Sequence, residues 1–197
     1  MTVQRRGRAD TAAWLDSIMK PYRSRVTFHD ATVSSRLRGV KRTDTSDWPC
    51  TIARSAAVLG DHWNLLLIRE ACLGTRRFDD FQEALGIGRN ILTRRLNGLV
   101  DEGLLRRVEY QPNPPRHEYR LTEKGRDAYP ILAAMAAWGD RWLTGPEGTP
   151  LVLHHTACGH DMHAVVVCSE CEEPLDVREV RAKPGPGAPV GTQIGAS

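Results

Sequence analysis

Residues 76–103, RRFDDFQEALGIGRNILTRRLNGLVDEG, contain two amphipathic segments separated by Gly-Ile-Gly. In the first segment Phe78, Phe81 and Leu85 recur at the spacing of one helix face. In the second segment a longer apolar set recurs in the same way, and it consists of Leu92, Leu96, Leu99 and Val100. The stretch therefore predicts a short helix, a tight turn and a second helix that ends at Gly103, which is a helix-turn-helix.

Two further helices are predicted on the N-terminal side of this stretch. In residues 50–60, CTIARSAAVLG, the apolar face consists of Ile52, Ala56 and Leu59. Gly60 is expected to end this helix, and Asp61 is the expected N-cap of the next one. The apolar face of that next helix consists of Trp63, Leu66 and Leu67, and Gly74 ends it.

After Gly103 the apolar period shortens to about two, which is typical of strands. The segments are LLRRVEY and HEYRL, with Leu104, Val108 and Tyr110 in the first and His117, Tyr119 and Leu121 in the second. The link between them, QPNPPR at 111–116, contains three prolines, which disfavour helix and central-strand pairing. We therefore expect an exposed hairpin tip, and the two strands with this tip predict a wing.

A long helix is predicted after the wing, with Thr122 as its N-cap and TGPEG at 144–148 as its end. Its apolar side consists of Tyr129, Leu132, Met135, Trp138 and Trp142. Pro130 lies inside this segment and is expected to kink or divide it. The predicted fold is mainly α with a small β wing, a winged helix-turn-helix domain over residues 47–145.

The second helix of such a motif fits the major groove of DNA. With its apolar residues turned inward, the opposite side carries Asn90, Thr93, Arg94 and Asn97, with Arg89 at the start and Arg95 on the flank. Arginine can bind guanine through two hydrogen bonds, and asparagine can bind adenine in the same way. Phosphate contacts are expected from Arg116 at the wing tip, with Arg106 and Arg107 on the strand. The alternative is that these arginines only solvate the helix.

Residues from about 50 to 142 resemble the HxlR-type helix-turn-helix family of bacterial transcriptional regulators. The resemblance rests on CTIARSAAVLGDHWNLLLIREACLGTRRFDDF, LTRRLNGLVDEGLLRR and PPRHEYRLTEKG, taken in this order. It implies a homodimer, joined through the first helix and the long helix after the wing, that binds a pseudo-palindromic operator in double-stranded DNA. It also implies repression or activation of nearby genes in response to a small-molecule inducer or a reactive electrophile.

Two positions deserve comparison with that family. Gly88 stands where the family often has serine, so one side-chain contact to phosphate is given up. Cys50 falls where redox-responsive relatives also carry a thiol, just before the first helix. A redox role for Cys50 is one interpretation, and an inert thiol is the other. Cys72, in the apolar run of the second helix, is most simply a core residue.

Charge is distributed unevenly along the chain, whose net charge is only +3. Residues 1–42 contain ten basic and three acidic residues, a net charge of +7, while the remainder carries 17 basic and 21 acidic residues, a net charge of −4. Residues 1–46 are polar and weakly periodic, which predicts a disordered extension or a wrongly assigned start; a DNA-binding arm is the alternative. Residues 183–197 are rich in Gly, Pro and Ala and predict a disordered tail.

Residues 154–175, HHTACGHDMHAVVVCSECEEPL, contain three of the five cysteines and four of the seven histidines. His155 and Cys158 are separated by two residues, as are Cys168 and Cys171. Thiolate and imidazole ligands at this spacing are typical of structural zinc sites. The pattern predicts a small β-rich, zinc-ribbon-like module over residues 150–180. Metal-free thiols and redox chemistry at CSEC are the alternatives, and His154, His160 and His163 compete with His155 for the fourth position.

These observations predict a DNA-binding regulator in the cytoplasm, without a signal segment or a membrane span. No His-Glu-x-x-His motif, nucleophile elbow or phosphate loop occurs in the sequence, so an enzyme is not expected. A winged helix used only for protein contact, or a zinc-dependent enzyme, remains the alternative function.

Overall fold

The computed structural model describes residues 44–189 and residue 191. The helices are α1 (Thr51–Leu59), α2 (His62–Cys72), α3 (Phe78–Leu85), α4 (Arg89–Asp101), α5 (Glu123–Arg126) and α6 (Tyr129–Trp142). The strands are β1 (Leu105–Pro112), β2 (Pro115–Leu121), β3 (Leu153–His155) and β4 (His160–Met162). Most of the extension predicted for 1–46, and the end of the tail predicted for 183–197, lie outside the described residues.

The helix boundaries that were predicted from capping residues are confirmed. Gly60 follows the last residue of α1, and the Asp61 carboxylate accepts a hydrogen bond from the Trp63 backbone N–H at 3.0 Å at the start of α2. Thr122 accepts one from the Gly125 N–H at 3.1 Å. The segment after Thr122 is divided into α5 and α6, and Pro130 lies in the first turn of α6, where its missing N–H costs nothing.

The core lies where α2, α3, α4 and the first wing residues meet. Its largest fully buried side chains are Leu67, Ile68, Phe81, Ile87, Leu92, Leu96, Leu99 and Leu105. The stripe predicted on α4 is confirmed, with Val100 half-buried at its edge. Ile87, between the two glycines of the turn, is also buried, because Gly86 adopts φ 61° and bends the chain back over the core.

The wing is an antiparallel hairpin, as predicted, paired from Leu105 with Leu121 to Pro112 with Pro115. Its strands extend further into the proline-rich link than the sequence predicts, so the tip is only Asn113 and Pro114. The Tyr119 N–H donates to the Arg76 carbonyl at 2.7 Å, which attaches the wing to the residues before α3. The position of the wing relative to the helix-turn-helix is therefore fixed by backbone hydrogen bonding.

Gly125 brings α5 close to the start of the wing. A Cβ atom at this position would lie 2.1 Å from the Leu104 carbonyl oxygen, which no side chain tolerates. The Thr122 hydroxyl donates to the Gly103 carbonyl at 2.6 Å beside it. The turn after α4 and the start of α5 are thus packed backbone against backbone.

The apolar sides of α1 and α6 are not buried in the single chain. Ile52 on α1 is 81% exposed, and Trp138 and Trp142 on α6 are 59% and 62% exposed. Tyr129 and Met135 are exposed as well, whereas Leu132 packs against the core. Within residues 44–189 and 191, no helix combines the length and the apolar character that a bilayer crossing requires.

Candidate nucleic-acid interface

The outer side of α4 has the side chains that the sequence predicts there. Arg89, Asn90, Thr93 and Arg94 are exposed, because the buried leucines of α4 occupy the opposite side. The Thr93 hydroxyl donates to the Arg89 carbonyl at 2.9 Å, so its methyl group faces outward from the helix. The result is a polar, basic strip along the first two turns of α4.

The N-terminal end of α4 is open to solvent. Its N-cap is Gly88, with extended backbone and no side-chain cap, and its first turn contains no acidic residue. The backbone N–H groups of that turn therefore remain available to an anion such as a phosphate. The Arg89 guanidinium lies 4.9 Å above the Phe78 ring and 3.9 Å from an Asp79 carboxylate oxygen, so α3 orients the first arginine of the strip.

Arg95 does not lie on the exposed flank where the sequence places it, and its contact with DNA stays a prediction. Its Nη2 atom is 2.6 Å from Asp61 Oδ2, and the Asp61 side chain is only 7% exposed. The charge of Arg95 is thus directed into the domain, where it pairs with the N-cap of α2. Arg95 thus ties α4 to α2.

Asn97 and Arg107 form a contact that the sequence did not predict. The Arg107 guanidinium donates to the Asn97 side-chain oxygen, and Asn97 is half-buried. This bond joins the third turn of α4 to strand β1. Asn97 is thereby less available to a base than Asn90, and Arg107 is held next to α4.

The wing extends the basic surface. Arg106 on β1 and Arg116 at the start of β2 are both exposed. Arg120, in contrast, donates to Glu118 within β2, which neutralises its charge locally. The exposed arginines of the wing and of α4 belong to neighbouring elements. A surface that contacts both a DNA groove and its flanking phosphates requires this arrangement.

The two isolated cysteines differ in environment. Cys50 is exposed at the N-cap position of α1, and its side chain makes no capping hydrogen bond. Cys72 packs against the core at the end of α2, and burial raises the pKa of its thiol. Cys72 is therefore held in the unreactive thiol form, as the sequence predicts for a core residue.

The C-terminal cysteines and histidines lie on two separate turns. The first turn joins β3 to β4 and contains His155 and Cys158, whose Nδ1 and Sγ atoms are 3.3 Å apart. The second contains Cys168 and Cys171, and backbone N–H groups of Glu170 and Cys171 donate to Cys168 and lower the pKa of its thiol. In the part of the chain that the structure describes, no three His, Cys, Asp or Glu side chains form a group that could hold a metal ion.

Comparisons with known proteins agree with the helix-turn-helix geometry. A family described as HxlR-like helix-turn-helix matches residues 58–147. The chain is 43% identical over 137 residues to Rv3095, an uncharacterized HTH-type transcriptional regulator of Mycobacterium tuberculosis strain H37Rv, and the match covers 70% of this chain and 87% of Rv3095. Because this match is longer than the segment 58–147, it includes residues outside the family segment.

Two solved structures have the same fold over most of this chain. PA1607, described as a candidate transcription factor, gives a TM-score of 0.66 at 33% identity and covers 72% of this chain and 99% of PA1607. PA1374 from Pseudomonas aeruginosa, described in the same way, gives a TM-score of 0.52 at 36% identity, with 72% and 96% covered.

Proposed function

The chain belongs to the HxlR-like helix-turn-helix family and is a DNA-binding transcriptional regulator, and from this premise we propose that it acts as a homodimer on a pseudo-palindromic operator. In this proposal α4 of each copy enters one major groove and the wing contacts the flanking phosphates. Its role is regulatory and not catalytic. A small molecule or a redox signal changes its affinity for the operator, and repression of the adjacent genes is its expected mode.

The observation that carries this proposal is the outer side of α4. Asn90 and Arg94 are exposed one helical turn apart on a helix whose opposite side is buried. Both side-chain types bind base edges in the major groove through two hydrogen bonds. Arg89 and Thr93 extend the contact surface, Arg106, Arg107 and Arg116 supply phosphate contacts, and Asn97 contributes through its link to Arg107.

The exposed apolar sides of α1 and α6 support the homodimer. Ile52, Trp138 and Trp142 are more than half exposed, and α6 also exposes Ile131 and Met135. Burial of such side chains against a second copy removes apolar surface from water, which favours association by about 25 cal/mol per Å². A two-fold dimer places its two α4 helices about 34 Å apart, one turn of DNA, and this spacing accounts for a pseudo-palindromic operator.

A cleft between α6 and the C-terminal segment is the candidate site for a small-molecule inducer. Its volume is about 830 Å³, and its lining includes Trp138, Trp142, His163 and Val165. Clefts of this size, with aromatic walls and a few polar groups, are typical of ligand sites. A ligand bound there would contact α6, the helix proposed to join the two copies, and could thereby alter the distance between the α4 helices.

Cys50 is the candidate for a redox form of the signal. It is exposed at the start of α1, and α1 belongs to the proposed dimer face. Oxidation at this position would add bulk and polarity at that face. Cys50→Ser should abolish an oxidant's effect on operator affinity, and an unchanged oxidant response would assign the sensing to another group.

The experiment that tests the proposal is selection of genomic DNA fragments by the purified full-length protein, followed by sequencing. We expect enrichment of one short pseudo-palindrome. Arg94→Ala should lose about 1–3 kcal/mol of operator affinity and relax the preference at one base pair, whereas Arg116→Ala should weaken binding to all sequences alike. Arg178→Ala, an exposed arginine of the C-terminal segment, is the matched control and should change neither.

Recovery of unenriched fragments whose binding is lost at moderate salt would instead indicate a general DNA binder. No recovery at all would favour a winged helix used for protein contact.

A further inference from the structure

The C-terminal segment has ordered turns but no core of its own. The structure describes every residue from 150 to 183, and none of them is buried. Its strands β3 and β4 are three residues each, and two strands of this length are not stable alone in water. Segments this small usually need a disulfide or a metal ion to hold one conformation, and its three cysteines are free thiols.

The first turn, HTACG, begins at His155. The N–H groups of Cys158 and Gly159 both donate to the His155 carbonyl, at 3.2 and 2.8 Å. Gly159, the residue after the cysteine, has φ 76°. These bonds bring the His155 and Cys158 side chains to the same side of the turn, with Nδ1 and Sγ 3.3 Å apart.

The second turn, CSECE, shares one backbone hydrogen bond and one backbone conformation with the first, although its sequence differs. The Glu172 N–H donates to the Cys168 carbonyl at 2.9 Å, which corresponds to the bond from Gly159 to His155. Glu172, the residue after the cysteine, has φ 61°, a conformation that side chains other than glycine rarely adopt. This turn closes a second small hairpin, in which Val167 pairs with Pro174 and the Cys168 N–H donates to Glu173 at 2.9 Å.

We propose that these two matched turns are the two halves of one zinc site, in which His155, Cys158, Cys168 and Cys171 bind a single zinc ion. Binding closes the two hairpins onto each other and produces a zinc-ribbon-like module. Zinc in structural sites takes four such ligands in a tetrahedron, each pair of ligands coming from one tight turn.

The distances within the first turn fit this arrangement. In a tetrahedral site the nitrogen and sulfur ligands lie about 3.5 Å apart, given Zn–N and Zn–S bonds of roughly 2.0 and 2.3 Å. The 3.3 Å between His155 Nδ1 and Cys158 Sγ is close to that value. His154, the residue before it in strand β3, projects to the opposite face of the hairpin. The geometry thus selects His155 over its neighbour as the nitrogen ligand.

In the described part of the chain the side chains of the two turns do not form one metal-binding group, so closure requires one hairpin to move. Strand β4 of the first hairpin ends at Met162, and Val166 accepts a hydrogen bond from the Leu175 N–H in the second hairpin, so residues 163–165 join the two. His163 and Val165 are exposed and Ala164 is half-buried, so the movement must come from rotation at this short joint. Zinc binding and the final folding of the module are then one event.

The test is metal analysis of the full-length protein, purified without chelator and then titrated with Co²⁺ as a spectroscopic substitute for Zn²⁺. We expect about one zinc ion per chain and, with Co²⁺, the intense visible absorption of a tetrahedral thiolate site. Cys158→Ser, Cys168→Ser and Cys171→Ser should each reduce zinc affinity at least 100-fold. Circular dichroism of the helices should not change, because these residues lie outside the core.

Histidine variants identify the fourth ligand. His155→Ala should lose zinc like the cysteine variants, whereas His160→Ala, directly across the hairpin from His155, should retain it. Cys72→Ser is the control for a thiol outside the module.

Absence of zinc in the purified chain together with an octahedral Co²⁺ spectrum would overturn the proposal. Zinc retained in Cys168→Ser and Cys171→Ser would overturn it too, and so would a Cys168–Cys171 disulfide found in the protein purified from cells. None of these results depends on DNA binding, so they are independent of the proposed function.

Discussion

The winged-helix domain and the C-terminal segment of the same chain are ordered by different means. In the domain, eight large apolar side chains are fully buried, and the helices that carry them are fixed by caps and a buried ion pair. In residues 150–183 there is no buried side chain, and the backbone order comes from two turns and two very short hairpins. The domain is stable through apolar burial, whereas the segment needs a ligand or a partner surface.

The same difference distinguishes the two activities proposed for the chain, DNA binding and zinc binding. The side chains proposed to contact DNA project from a helix held by the core, so their geometry is present before DNA binds. The proposed zinc ligands belong to turns that are formed but not closed, so the ion would complete their site. Changes in the core should therefore affect stability and DNA binding together, while changes in the C-terminal turns should affect metal binding first.

The largest expected effect is Leu96→Ala, which removes a fully buried side chain of α4. Its loss should lower the free energy of unfolding by about 3–5 kcal/mol, because transfer and cavity costs add. Val166→Ala, at a side chain that is 57% exposed, should change it by less than about 0.5 kcal/mol. Denaturant titration of both variants measures the contrast, and equal losses would contradict the view that the segment contributes no core.

The second prediction compares two ion pairs of similar length. Asp61→Ala removes both the N-cap of α2 and the partner of Arg95, whose guanidinium is mostly buried. The loss should be about 2–4 kcal/mol, since a buried charge is left unpaired. Asp176→Ala removes the exposed pair with Arg178 in the segment and should leave the unfolding transition unchanged.

The pH dependence of the exposed pair has a definite sign. The Arg178 hydrogen bonds lower the pKa of Asp176, so any stabilisation from it is present above the ordinary carboxyl pKa and is lost as pH falls. A loss for Asp176→Ala as large as that for Asp61→Ala would show that the segment is packed more tightly than its exposure indicates.

Sequence alone predicted those parts of the fold that depend on local chemistry. Gly60, Asp61 and Thr122 act on their own helix ends, so their roles follow from adjacent residues. The buried apolar side of α4 was likewise predicted from the spacing of its leucines. The zinc site predicted from the spacing of His155, Cys158, Cys168 and Cys171 stays a prediction.

The features that were missed depend on residues distant in sequence. Arg95 turns inward because Asp61 lies beneath it, and no local sequence pattern predicts a partner 34 positions away. The bond from Arg107 to Asn97 likewise requires β1 to lie beside α4. Residue spacing predicts the apolar side of α6 but not whether that side packs within the chain, and Trp138 and Trp142 are exposed.

The third prediction concerns two glycines of the domain. Gly125→Ala places a Cβ atom 2.1 Å from the Leu104 carbonyl oxygen, so α5 must shift and the unfolding free energy should fall by about 1–3 kcal/mol. Gly139→Ala, inside α6 with no atom within 4 Å of the added Cβ, should instead stabilise by about 0.5–1 kcal/mol. Thermal denaturation distinguishes the opposite signs, and two stabilising substitutions would show that the close contact at Gly125 is absent.

The smallest expected effect is a difference in alkylation rate between the thiols of the two regions. Burial raises the pKa of Cys72, so its alkylation by iodoacetamide should be slow at neutral pH and should rise at higher pH than that of a free thiol. The same shift means that its contribution to stability is complete below the ordinary thiol pKa, about 8.5, and is lost as pH rises through the folded value.

The C-terminal thiols have no comparable burial, since Cys158 and Cys171 are exposed and Cys168 is half-exposed. They should react quickly in zinc-free protein and slowly after zinc is added, whereas the Cys72 rate should be the same in both samples. Mass spectrometry of each cysteine peptide over time measures all four rates. Zinc protection of Cys72, or none at Cys158, would mean that the ion acts somewhere other than the two turns, because only a ligand bond can shield a thiol that the fold leaves in water.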